Sequence, residues 1–145
     1  MKDISGLVFV DTSVWILAFK GQNKKISLLI DYLLKENRVA VSGIVTLELS
    51  YGVKNQKEFK ELKEEMKSLV WLETDEKVWE RAYSIAFQAR RKGITVPSTD
   101  ILIAALAIEN NCALLHSDKH FDVLSKEGVG LDPRKNRSFL SDKTK

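Results

Sequence analysis

Four short runs of this chain are apolar from end to end, and amphipathic helical patterns separate them. Leu7 to Val10, Val39 to Val41, Leu69 to Leu72 and Ala113 to Leu115 read as short buried strands. Between them, Ile26, Leu29, Ile30, Leu33 and Leu34 recur at helical spacing, as do Phe59, Leu62, Met66, Leu69 and Val70, and then Val78, Ala82, Ile85, Ala86 and Ala89. Strands that alternate with helices predict an α/β fold around a parallel sheet. Gly93 after Arg90-Arg91-Lys92 reads as a helix stop, and Ile101 to Glu109 as a helix so apolar that it lies centrally in the fold.

Four acidic residues stand where these segments change character. Asp11 follows the first apolar run, Glu48 lies within Ile44-Val45-Thr46-Leu47-Glu48-Leu49, Asp100 opens the Ile101 helix, and Asp118 follows Ala113 to Ser117. A carboxylate beside apolar segments must be neutralised, hydrogen-bonded or coordinated to a cation. Pro97-Ser98-Thr99-Asp100 reads as a helix start in which Ser98 or Thr99 caps, and Ser117-Asp118 as a second start. Open parallel sheets bind ligands beyond the carboxyl ends of their strands, where Asp11 and Asp118 are expected to project. Glu48 is expected to face the core, because it shares a helix face with Ile44, Leu47 and Tyr51. Read singly, Asp100 and Asp118 are first-turn acids and Asp11 a turn residue; read together, the four predict a divalent-cation site. Oxygen ligands favour Mg²⁺ or Mn²⁺ over zinc.

A chain of 145 residues fits one domain that buries roughly two-thirds of its unfolded surface. The segment 1–131 is expected to form that domain, and 132–145, with Arg134, Lys135, Arg137, Lys143 and Lys145, a mobile basic tail. Cys112 is the single cysteine and forms no internal disulfide, which fits a reducing compartment. The longest strongly apolar stretch, Ile101 to Ile108, is too short to span a bilayer, so a cytoplasmic protein without a membrane partner is expected. A net charge of +3 with the acids gathered in one cleft leaves the remaining surface basic, which suits a polyanion.

The motifs Val10-Asp11-Thr12-Ser13, Thr46-Leu47-Glu48-Leu49-Ser50-Tyr51-Gly52, Asp100-Ile101-Leu102-Ile103-Ala104-Ala105 and Leu115-His116-Ser117-Asp118-Lys119-His120-Phe121, in this order, resemble the PIN-domain ribonucleases, most of all their compact VapC toxin branch. The resemblance covers about residues 7 to 131. It implies a three-layer α/β/α sandwich around a central parallel sheet of four or five strands. It also implies Mg²⁺, or Mn²⁺, held by Asp11, Glu48, Asp100 and Asp118 as metal-binding and catalytic residues, and cleavage of RNA phosphodiesters by a metal-activated water. A small antitoxin of VapB type and a homodimer are the partners it implies.

Around these acids, Thr12, Ser13 and Ser117 are candidate accessory hydroxyls. Many relatives carry another acid two residues after the fourth, where this chain has His120. Asp122 is the candidate for that missing carboxylate. His120 reads as a surface histidine at a helix start, with contact to phosphate or metal as its alternative, and His116 as a hydrogen-bonded structural residue. Trp15 is the tryptophan expected nearest the cleft rim. Three other functions compete: a PIN-domain RNA-processing nuclease that is not a toxin, a phosphoryl transferase using Asp11 as nucleophile, and a non-catalytic RNA- or partner-binding module. The sequence Asp11-Thr12-Ser13 lacks the second aspartate expected of many such transferases, and four intact acids disfavour a purely binding surface.

Overall fold

The computed structural model describes residues 6–140. Its five strands form one sheet in the order β3-β2-β1-β4-β5, every pair parallel. They are β1 (Val8–Val10), β2 (Val39–Ser42), β3 (Val70–Leu72), β4 (Ala113–His116) and β5 (Asn136–Ser138). Seven helices connect them: α1 (Thr12–Lys20), α2 (Lys24–Lys35), α3 (Gly43–Ser50), α4 (Gln56–Lys67), α5 (Glu76–Arg91), α6 (Ser98–Glu109) and α7 (Lys119–Lys126). Every residue of β1, β2 and β4 is buried, as required of parallel strands with helices on both faces. The result is the expected α/β/α sandwich, with five strands.

Local chemistry accounts for most boundaries. Asn23, Asn55 and Asp75 cap α2, α4 and α5, each side chain accepting a backbone N–H from the first turn. Gly93 takes a positive φ of 74° just after α5, which a β-carbon would disfavour. The stripe expected to continue through Leu69 and Val70 ends earlier, because α4 stops at Lys67 and Val70 enters β3. Neither Ser98 nor Thr99 caps α6. Pro97 occupies the cap position with extended backbone, and no side chain bonds there. The α6 helix is central as expected, with Ile103 to Ala107 all buried.

Residues 132–140 correct the expected tail. Asn136–Ser138 extends the sheet, Leu114 N–H donates to Lys135 O at 2.8 Å, and Phe139 is buried in the core. Asn-Arg-Ser escapes recognition because a short edge strand needs no apolar run. The sheet therefore continues beyond residue 131, while Lys143 and Lys145 lie outside the described residues. Gly130 makes the approach to β5 possible: a β-carbon there would stand 2.8 Å from Leu124 Cβ and 3.1 Å from Leu124 C. Gly130→Ala is expected to destabilise the protein by about 1–3 kcal/mol through overpacking. Urea denaturation with an unchanged midpoint would refute that.

Candidate metal centre

The chain reverses its direction of travel across the sheet between β1 and β4. Strands β2 and β3 lie to one side of β1, β4 and β5 to the other. The carboxyl ends of β1 and β4 thus border the switch point, the crevice where open α/β sheets take ligands. Asp11 leaves β1 and Asp118 follows β4, and Asp11 N–H donates to Leu115 O at 2.9 Å, tying the two strand ends together.

Helix starts position three of the four acids. Asp11 caps α1: its Oδ2 accepts from Ser13 N–H at 3.0 Å and from Ser13 Oγ at 2.5 Å. Ser13 Oγ in turn accepts from Ser117 N–H at 2.9 Å, so one hydroxyl joins the β1 and β4 loops. Asp118 caps α7, its Oδ1 accepting from His120 N–H at 2.9 Å. Asp100 sits in the first turn of α6. Glu48 arrives from α3, where Thr12 Oγ1 donates to its Oε1 at 2.7 Å. Three helix N-termini thereby direct partial positive charge toward the carboxylates.

His120 completes the cluster. Its Nδ1 lies 2.9 Å from Asp100 Oδ2 and 3.0 Å from Asp118 Oδ1. One ligand atom from each of Asp100, Asp118 and His120 lies within 4.8 Å of the others, a spacing compatible with a shared metal ion. Among the described residues, no Lys or Arg forms an ion pair with any of the four acids. Burial pushes the Asp11 carboxyl up to about 6, against the two Ser13 hydrogen bonds, with Glu48 and Asp118 adding repulsion. Burial likewise pushes Asp100 up to about 7, assisted by the negative charge of Asp118 and opposed by His120. Crowded carboxylates with no Lys or Arg paired to them fit a divalent cation, whose charge would remove both penalties.

The expected site residues meet this geometry unevenly. Asp11, Asp100 and Asp118 converge, and Thr12 and Ser13 act by holding Glu48 and Asp11. Ser117 contributes its backbone N–H to Ser13. Glu48 joins the electrostatic neighbourhood of Asp11, but it does not face the core. Leu47 and Tyr51 are 58% and 89% exposed, and Val45 and Leu49 are the buried face of α3. This helix is apolar on both sides, so its periodicity does not single out the inner one. Asp122 is turned elsewhere, accepting from Asn136 Nδ2 at 2.8 Å. His116 has the structural role expected: Nδ1 accepts from Asp118 N–H at 3.2 Å, which leaves Nε2 to donate to Asn136 Oδ1 at 2.9 Å. Trp15 is buried and stacks on Phe19, away from any rim role.

His120 stands at the start of α7 and is 30% exposed, while its ring turns onto two of the acids. The available signal was its place two residues after a capping aspartate, where the backbone N–H reaches the cap and the ring can follow. Ser13 is the other support on which the geometry depends. Ser13→Ala is expected to remove about 1–3 kcal/mol of stability, because it strips the acceptor from Ser117 N–H and a donor from Asp11. Chemical denaturation and cleavage rates both test it, and two unchanged values would contradict the bridging role.

The family model of the PIN domain matches residues 8–127. The chain belongs to the PIN-domain family. Within it, the chain is 31% identical over 124 residues to VapC ribonuclease Mb1587 of Mycobacterium bovis, covering 83% of this chain and 92% of that protein. The same figures hold for ribonuclease VapC11 of Mycobacterium tuberculosis. The PIN fold also matches VapBC-1 from nontypeable Haemophilus influenzae, with a TM-score of 0.69 at 23% identity, over 83% of this chain and 93% of that one. Promoter-bound VapBC2 from Rickettsia felis gives 0.66 at 22% identity, over 78% and 88%.

Proposed function

We propose that this chain is a divalent-metal-dependent endoribonuclease and the toxin of a VapBC-type toxin–antitoxin pair. The observation that carries the reading is the convergence of Asp11, Glu48, Asp100 and Asp118 at the switch point, in a chain 31% identical to VapC ribonucleases. Asp100, Asp118 and Asp11 would hold Mg²⁺ or Mn²⁺, with Glu48, fixed by Thr12, as a further carboxylate beside them. When bound, the cation supplies charge stabilisation at a phosphoryl oxygen and lowers the pKa of water. Ser13 fixes the Asp11 carboxylate, Thr12 fixes Glu48, and the α1, α6 and α7 N-termini favour the RNA phosphate.

The partners are RNA, a small VapB-type antitoxin and a second copy of the chain. Exposed apolar side chains support protein partners: Ile16 and Phe19 on α1 with Leu28 and Tyr32 on α2, and Trp79, Tyr83 and Phe87 on α5. The α5 face borders an apolar groove of about 310 Å³ lined by Ile44, Ile101 and Leu102. No helix among the described residues is long and apolar enough to cross a membrane, and the proposed compartment is the cytoplasm. The test is internal cleavage of labelled RNA by purified protein. Cleavage with Mn²⁺ or Mg²⁺ and none in EDTA is expected, with suppression by a co-purified antitoxin; turnover that persists in EDTA contradicts the reading.

A further inference from the structure

We propose that His120 is a direct nitrogen ligand of the metal, giving this PIN domain a mixed carboxylate–imidazole site that prefers Mn²⁺ to Mg²⁺. The inference rests on the metal centre proposed above and assigns a role to a residue that takes the place of a further acid. Adjacent ligand atoms of an octahedron with bonds of about 2.1 Å stand about 3.0 Å apart. His120 Nδ1 meets that spacing twice, at 2.9 Å from Asp100 Oδ2 and 3.0 Å from Asp118 Oδ1. His120 Nδ1 thus stands at neighbouring-ligand spacing from both carboxylate oxygens, with all three atoms within 4.8 Å of one another, and a cation would take the place of the bridging proton.

The ring is also held where a ligand must be. His120 N–H is bound by the Asp118 carboxylate, so the side chain leaves the backbone one residue inside α7 and returns over its own cap. The other histidine, His116, is buried with both ring nitrogens engaged by Asn136 and by Asp118 N–H, so it is not available as a ligand. Imidazole binds first-row transition ions in preference to Mg²⁺, whereas an all-carboxylate site suits Mg²⁺. Mn²⁺ combines tolerance for this nitrogen with the carboxylate-rich remainder of the shell.

The deciding measurement is pulsed electron paramagnetic resonance of Mn²⁺ on the full chain, with isothermal titration of Mn²⁺ and Mg²⁺. Wild type is expected to show hyperfine coupling to a directly coordinated nitrogen, and His120→Asn to lose it. His120→Asp should still bind metal while its Mn²⁺-over-Mg²⁺ preference falls by about tenfold or more, the scale on which even outer-shell partners of a ligand act. Bound Mn²⁺ without nitrogen coupling in wild type overturns the ligand role and leaves the carboxylate centre standing. Nitrogen coupling that survives in His120→Asn overturns it equally. Failure of wild type to bind Mn²⁺ at all removes the metal centre and this inference together.

Discussion

Asp100→Asn is expected to lower metal-dependent RNA cleavage by about a thousandfold or more, and to make the metal-free protein more stable at pH 8. The first effect follows from losing the anionic ligand proposed at this position, whose cation would provide several kcal/mol of transition-state stabilisation, with each ~1.4 kcal/mol worth a factor of ten. The second follows from burial. Asp100 is only 7% exposed and lies beside Asp118, so its carboxyl is pushed up to about 7 and its ionised form is disfavoured. Asparagine keeps the shape and an oxygen that accepts from His120 while removing the charge. The melting temperature without metal should rise by about 3 °C, roughly what ~1 kcal/mol is worth at this chain length. Cleavage within tenfold of wild type excludes Asp100 as an important ligand, and a lower metal-free melting temperature excludes repulsion as its dominant effect.

Strands β1, β2 and β4 are readable because helices cover both of their faces, leaving uninterrupted apolar runs. Strand β5 is not, because Asn136-Arg137-Ser138 at the edge gains its place through Phe139 and the Leu114–Lys135 hydrogen bond. Asp11, Asp100 and Asp118 are readable because each marks a transition into a helix, and that transition is where a cap or first-turn acid sits. Glu48 is singled out in the sequence by a face argument that the structure does not support: its neighbours Leu47 and Tyr51 are exposed, and a helix apolar on both faces has no periodicity to consult. His120 is legible in the sequence only as an alternative contact, because its placement depends on Asp100, 20 residues earlier, reaching the same nitrogen as Asp118. Only the packing of α6 against α7 creates that pair.

Saturating Mn²⁺ is expected to stabilise the protein strongly at pH 8 and much less at pH 5. Asp11 and Asp100 have folded-state values of about 6 and about 7, both above the ordinary 3.8. Between 3.8 and those values the native state holds more protons than the unfolded chain, so stability falls as pH rises. The contribution is fully present below about 3.8 and is lost once pH passes 7, where both carboxyls are ionised and uncompensated. A divalent cation restores it by neutralising the same groups, and protons compete for them at lower pH. With free metal at one hundred times its dissociation constant, the gain is about 2.7 kcal/mol. Buried His116 works in the other direction: its value is lowered by desolvation, so its contribution is lost as pH falls through the usual histidine range. It lies outside the metal shell, so its effect largely cancels in the difference between metal-loaded and metal-free denaturation curves. That difference, measured by urea unfolding from pH 5 to 8, should therefore widen through pH 6 and 7, and it should shrink in Asp100→Asn. A separation that stays constant across the range would mean that the cation binds without engaging Asp11 and Asp100.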